Sequence, residues 1–492
     1  MMGGLGRLLR AALSGDGAIL DGMGGRTSFE VLSARAADIH HQLRAGGINS
    51  DEPVHVTIGN RAADIAALLG VWEAGGVVVP VHVSALSATV TRLSALSRAR
   101  FVVDAGAVSE LAETVPPHRP LLQGAALVIS TSGSTGLPKG VVIGHQRLLG
   151  KLDVLDRLLC ITPGDQVVLP LQLTFIFGMW VSLLTLRSGA TLSLMPRLTA
   201  AALASLMEAG ATVLTVVPSM LRTLLSAGAP AGNGPRLLLT GGEALGAHLR
   251  QAIRECWRET NLFDLYGLTE TGSCDFCLSS ASPTSADGSI GLPTEGVRFQ
   301  IGEPDQGIAG VGELQICTPF GMLGYLDDPA LTTASFADEF FRTGDLARVR
   351  PDGLVELVGR SKEIVSRGGN KIAPQEIDHL LCSHPAIAGA LSAGVPHPRL
   401  GEALYTVVVL KADADFTVTE LRQWLSERLE RYKLPDTLSI EPSLPTGSTG
   451  KASRALLREM AITRGVIGQS SSSNSDPGDN LGPPSRRGST SR

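Results

Sequence analysis

The sequence predicts an α/β protein with a large N-terminal domain of layered, largely parallel sheets with helices and a small α+β C-terminal domain. Three observations carry this expectation. Short β-rich runs alternate with helical stretches over most of the chain, the rhythm of stacked βα units. The texture changes after about residue 359, where a smaller α+β region follows. The 492 residues are 43% hydrophobic and 18% charged, enough for more than one domain with a sizeable core.

In chain order, MMGGLGRLLRAALSGDG opens the sequence with two arginines and an apolar run too short for a secretory signal. Thr27 and Glu30 fit a capping box for a helix over 28–45. VHVTI (54–58) reads as a strand, with Asn60 as the N-cap of the helix after it. VVVPVH (77–82) is the next strand. VLTVV (213–217), RLLLT (236–240) and LFDLY (262–266) follow, alternating with helices near 219–227 and 246–258. The smaller region carries VELVGR, an apolar strand LYTVVVL (404–410), and an amphipathic helix from Thr417, capped by Thr417 and Glu420. The Ser/Pro/Gly-rich end lacks core-forming residues and is expected to be disordered. The expected boundaries are 1–359, 360–465 and a tail at 466–492. No fixed-period repeat is visible.

A net charge of −5 argues against general nucleic-acid binding, which wants a basic face. No apolar run approaches the roughly 20 residues of a membrane span. Six scattered cysteines suit a reduced compartment, so a cytoplasmic protein is expected. Cys274 and Cys277 form one CxxC with no second pair and no nearby histidine, and read as two ordinary thiols rather than a metal site.

The most informative stretch is STSGSTGLPKG (130–140). Its glycines bring backbone N–H groups near an anion, its hydroxyls donate, and its lysine adds charge. It does not fit the Walker spacing, in which lysine follows glycine and a helix starts at once. Pro138 precedes Lys139, and the flanks ALVIS and GVVIGH are both strand-like. A hairpin loop over phosphates is expected, and a Walker-type NTPase is disfavoured.

TSGSTGLPKG resembles the signature of the adenylate-forming superfamily: acyl-CoA synthetases, standalone adenylation domains and luciferases. Further motifs follow in order: LYGLTETG (265–272), GELQI (312–316) with GYL (324–326), FRTGDLARV (341–349), GRSKEIVSRGGNKIAPQEID (359–378) and LPTGSTGKASRALL (444–457). The resemblance covers roughly residues 25–460. It implies ATP-dependent formation of an acyl-AMP with release of pyrophosphate, then a thioester with CoA or a phosphopantetheine arm. It also implies a mobile small domain.

The resemblance distributes roles. Thr131, Ser132, Gly133, Ser134, Thr135, Gly136 and Lys139 would hold the β- and γ-phosphates. Thr131 and Glu270 would hold Mg²⁺, which takes few protein ligands. Tyr266, with Gly267 and Gly242 beside it, would stack on adenine, and Thr269 would donate to the α-phosphate. Asp345 would accept from both ribose hydroxyls, with Arg360 reaching ribose or phosphate. Lys451 would neutralise the repulsion between carboxylate and α-phosphate. Lys362 matches the hinge, and Gly368 and Gly369 match the pantetheine tunnel.

Three departures are visible. Ser130 replaces an aromatic residue common before the loop. Thr446 and Gly447 stand where many members carry Arg and Thr. LPLQLTFIFGMW (169–180) contains neither the His-x-x-Gly of many acyl-CoA synthetases nor an acidic partner for an α-ammonium. A buried, unpaired ammonium is costly, so an α-amino acid is disfavoured. Phe175, Phe177, Gly178, Met179, Trp180, Val217 and Gly241 suggest an apolar pocket for an aryl or aliphatic acid, with some of the aromatics expected in the core. The leading expectation is an acid–CoA ligase. A standalone enzyme that loads a carrier protein is the alternative, and a non-catalytic homologue is disfavoured because Lys451, Glu270 and Asp345 are all present.

Overall fold

The computed structural model describes residues 4–13, 15–22, 25–132, 138–196, 198–228, 234–280, 288–304, 310–411, 414–447 and 452–465. Gly133, Ser134, Thr135, Gly136, Lys451 and the expected tail lie outside the described residues. The chain divides into two compact units. One holds residues 1–363 and 382–385, the other 364–381 and 386–492.

Two mixed sheets dominate the first unit. The seven-stranded one has a parallel centre, where Pro53–Ile58 lies between Val77–His82 and Phe101–Asp104. The nine-stranded one has a parallel run of Leu237–Gly241 between Val213–Val216 and Asn261–Tyr266. Its far side pairs the strand Ala18–Asp21 with Thr191–Leu194, Ile19 facing Leu192. Central strands such as Val213–Val216 and Leu237–Gly241 are buried along their whole length. That is why they read as continuous apolar runs rather than alternating ones. One hydrophobic core joins both sheets, with Trp72, Trp180 and Phe29 among its largest buried side chains. Leu5, Leu9 and Leu13, at helical spacing from Gly4–Ala12 onward, belong to it as well.

The parallel expectation fails for a third sheet. Arg298–Pro304, Gly312–Cys317, Phe336–Ala337, Phe340–Val349 and Val355–Arg360 pair only antiparallel. VELVGR therefore belongs to the larger unit. The second unit is α+β: antiparallel Ile387–His397 and Gly401–Leu410 form the longest pair of a five-stranded sheet. Its helix Val418–Ser426 carries the expected capping box. Thr417 Oγ1 accepts from Glu420 N–H at 3.2 Å, and Glu420 Oε2 accepts from Thr417 N–H at 2.8 Å.

Two expected caps are displaced. The helix Phe29–Ala45 is capped by Ser28, not Thr27, because Ser28 Oγ faces Val31 N–H at 3.3 Å. Asn60 caps nothing. It sits at φ +56° and its amide bonds Leu171 O and Leu173 N–H, 2.9 and 3.2 Å away. Asp64 accepts from the Gly59 and Arg61 N–H groups just ahead of the helix Ala62–Glu73, and the first helical amide, Ala62 N–H, donates to Asp21 Oδ1 at 2.9 Å. Among the described residues, no helix is long and apolar enough to cross a membrane.

Candidate nucleotide and acyl site

The strands that flank the glycine-rich loop form an antiparallel ladder. Ala125–Ser132 and Pro138–Gly144 pair antiparallel, with Thr131 opposite Lys139 and Ser132 opposite Pro138. Lys139 Nζ lies 5.1 Å from the centre of the Tyr325 ring.

LYGLTETG continues from the strand Asn261–Tyr266 into a tight connection. Gly267 is required there, since a Cβ would stand 2.4 Å from Cys274 N. Beneath the connection lies a buried ion pair. Lys151 Nζ is 3.5 Å from Asp275 Oδ1, with side chains 1% and 0% exposed, and it donates to Cys274 O at 3.1 Å. Thr271 donates to the other Asp275 oxygen. The connection is thus held from below by charge. Thr269 and Glu270 are half-buried on it. Glu270 Oε1 accepts from the Tyr325 hydroxyl at 3.1 Å.

Tyr266 donates to Asp345 Oδ2 at 2.6 Å, and Arg360 Nε donates to Asp345 Oδ1 at 2.8 Å. Asp345 faces Arg360 directly across the pair Phe340–Val349 and Val355–Arg360. Gly344, at φ +74°, precedes it, and Thr343 Oγ1 accepts the Asp345 N–H. Burial first, and the Asp345 charge second, hold the Tyr266 phenol well above its ordinary range, so it stays a donor. Tyr266 and Arg360 thus meet around one buried carboxylate, that of Asp345.

The segment 169–180 splits in two. Met179 and Trp180 are fully buried core, and Trp180 Nε1 donates to Ser273 Oγ at 3.4 Å. Phe177 stacks on Trp180 at 5.3 Å and is half-buried, whereas Phe175 is 40% exposed at the start of the helix Ile176–Arg187. Gly178 has no room for a Cβ, which would meet Gln172 O at 2.4 Å. Val217 precedes the helix Pro218–Ser226, and Gly241 ends a strand where a Cβ would meet Leu265 O at 2.4 Å. Gly242 follows at φ +79°. Glu243 is occupied, accepting from the Ser219 hydroxyl and N–H at 2.8 and 3.1 Å.

Lys362 is exposed in the turn Ser361–Glu363 of the first unit. Gly368 and Gly369 lie in the second unit, at φ +55° and +86°, between strands Val365–Arg367 and Asn370–Ile372. Two positive φ angles in a two-residue hairpin favour glycine on backbone grounds alone. Thr446 bridges Ala452, and Ser453 N–H bonds Pro445 O at 2.9 Å, so the chain is pinched on both sides of 448–451. The Cys274 thiol is pushed up to about 12 by burial, which keeps it protonated and unreactive.

The donor set suits magnesium. Thr131 offers a hydroxyl and Glu270 one carboxylate, and magnesium takes its remaining ligands from phosphate and water. Among the described residues, no group of three or more His, Cys, Asp or Glu could hold a metal by itself. Sequence reasoning gave Tyr325, Lys151 and Asp275 no role. GYL marked Tyr325 only as part of a motif, and nothing in the sequence pairs Lys151 with a residue so distant.

Two such mixed sheets, with a phosphate-type hairpin and a buried carboxylate held by tyrosine and arginine, define the class as adenylate-forming enzymes. The chain belongs to the AMP-binding enzyme family, whose model matches residues 10–326, with the AMP-binding enzyme C-terminal domain matching 376–451. It is 30% identical over 473 residues to a sulfoacetate–CoA ligase of Cupriavidus necator, covering 87% of this chain and 92% of the relative. It is 29% identical over 481 residues to a fatty acid–[acyl-carrier-protein] ligase of Streptomyces coeruleorubidus, covering 88% and 92%. Its fold matches the crystal structure of ATP-bound MatB from Rhodopseudomonas palustris with a TM-score of 0.81 at 23% identity, over 92% and 98% of the two chains.

Proposed function

We propose that this enzyme activates an aryl or aliphatic carboxylic acid with ATP and passes the acyl group to CoA. The Tyr266–Asp345–Arg360 constellation carries the reading: one buried carboxylate with acceptor lone pairs left over for two ribose hydroxyls, beside an aromatic face for adenine. Family membership supports the same chemistry.

In the first step the acid's oxygen bonds the α-phosphorus and the bond to pyrophosphate breaks. Lys139 would place charge on the departing phosphates, and Thr269 would donate to the α-phosphate. Lys451 would offset the repulsion between the two anions. Bound magnesium, held by Glu270 and Thr131, would neutralise phosphate charge. In the second step the thiol sulfur bonds the acyl carbon, AMP leaves, and the thiol proton goes to solvent. Lys362 would serve as the pivot between the steps, and the Gly368–Gly369 turn would border the thiol arm.

The relative that loads an acyl carrier protein supports a second reading, with a carrier phosphopantetheine as acceptor. Pyrophosphate release across aryl, fatty, dicarboxylic and amino acids tests the first step. Mass spectrometry of the product with CoA then separates the acceptors. AMP release without acyl-CoA would sink the CoA reading. Lys451→Ala is expected to abolish pyrophosphate exchange while sparing thioester formation from supplied acyl-AMP; unchanged exchange would remove the role given to Lys451.

A further inference from the structure

The seven-stranded sheet ends on a strand of two residues, Gly324–Tyr325. It pairs with the outgoing strand of the glycine-rich hairpin, Tyr325 opposite Val141, and Leu326 N–H continues the pairing to Gly140 O at 2.8 Å. The same short segment reaches the LYGLTETG connection, where Met322 N–H bonds Glu270 O at 2.7 Å. Tyr325 is only 4% exposed. Its hydroxyl donates to Glu270 Oε1 at 3.1 Å, while its ring face lies 5.1 Å from Lys139 Nζ. One side chain thus touches, through two different surfaces, a carboxylate and an ammonium 131 positions apart in sequence (139 to 270).

We propose that Tyr325 is a positioning residue that couples the phosphate-facing Lys139 to the metal-facing Glu270. The hydroxyl aims the carboxylate by a charge-assisted hydrogen bond. The ring steadies the ammonium by a cation–π contact, which leaves the Nζ protons available to phosphate. Nucleotide and magnesium then bind as a linked event rather than two separate ones. The inference rests on the roles given to Lys139 and Glu270 above.

Calorimetric titration with ATP, in excess MgCl₂ and separately in EDTA, tests it without knowledge of the acid. Tyr325→Phe keeps the ring and removes the hydroxyl. It should shrink the magnesium-dependent tightening of ATP binding roughly tenfold, with magnesium-free affinity within about twofold of wild type. Tyr325→Leu should in addition weaken magnesium-free binding by about threefold. A general packing defect would instead lower both affinities together in Tyr325→Phe, and that result overturns the proposal. So does wild-type tightening in Tyr325→Phe when Glu270→Gln has lost it. If Glu270→Gln and Lys139→Ala both bind Mg·ATP like wild type, the underlying site assignment fails, and the coupling fails with it.

Discussion

The proposed nucleotide end and the proposed acyl end of the site are built by opposite means. Around Tyr266, Glu270 and Asp345, polar groups hold one another in place, and an ion pair, Lys151 and Asp275, lies beneath them in the core. Around Phe175, Val217 and Gly241, the shape comes from apolar side chains and from glycines pressed against backbone carbonyls. A ligand common to all members of a family can be met by fixed charges. A ligand that varies is met by shape, which changes residue by residue at little electrostatic cost. The nucleotide end is therefore expected to fail by losing charge partners, and the acyl end by losing fit.

The largest effect should come from beneath the nucleotide end. Lys151→Met leaves Asp275 buried without its cation and should cost about 3–5 kcal/mol of stability. Adding Asp275→Leu should recover part of that loss, because an apolar pair of similar volume has no charge to desolvate. Chemical denaturation of the single and double variants measures both, and an additive double variant would show that the pair is not a unit. Next comes Asp345→Ala, which should lower kcat/KM for ATP about a hundredfold by removing the carboxylate that meets Tyr266 and Arg360 and is proposed to meet ribose. The KM for the acid should move little; equal losses for both substrates would erase the distinction between the two ends.

Gly178→Ala tests the acyl end. Its Cβ would press on Gln172 O, and the backbone shift should cost about 1–3 kcal/mol. Acid selectivity should change more than the KM for ATP. The smallest effect is that of mild acid. His55, bonded to Ser97, and His145, directly after the hairpin strand, are both depressed to about 4, mainly by burial. Their folded values lie below the unfolded value of 6.5, so the stability they contribute is present above pH 6.5 and is lost as pH falls towards 4. From pH 7 to 6 the pair should cost about 1 kcal/mol, seen as a Tm fall of roughly 2 °C. His55→Gln should flatten part of that slope.

Much of the fold was legible because buried parallel strands leave continuous apolar runs, as at Val213–Val216 and Leu237–Gly241. The hairpin was legible for a local reason, a proline ahead of the lysine and a strand pattern after it. What escaped depended on distance. Tyr266 meets Asp345 across 79 positions, and Lys151 reaches Cys274 across 123. No spacing rule encodes such a meeting. Asn60 has cap chemistry, yet its amide bonds the 171–173 segment, because a tertiary partner outweighed the local one. Aromatic composition around 175–180 could not separate wall from core. Trp180 is wholly buried while Phe175 stands 40% exposed, because Phe175 is the extended residue ahead of a helix that is buried on nearly every face.

The strand Ala18–Asp21 finds its parallel neighbour in Thr191–Leu194. On a ribosome the chain emerges from its N-terminus, so Ile19 is made about 170 residues before the Leu192 it will face. At roughly 5–20 residues per second, that strand waits about ten to thirty-five seconds for its neighbour. The buried leucines of the first helix share the wait, since the core that covers them includes Trp180 and Leu192. Through that interval the growing chain holds apolar residues whose native neighbours are not yet made.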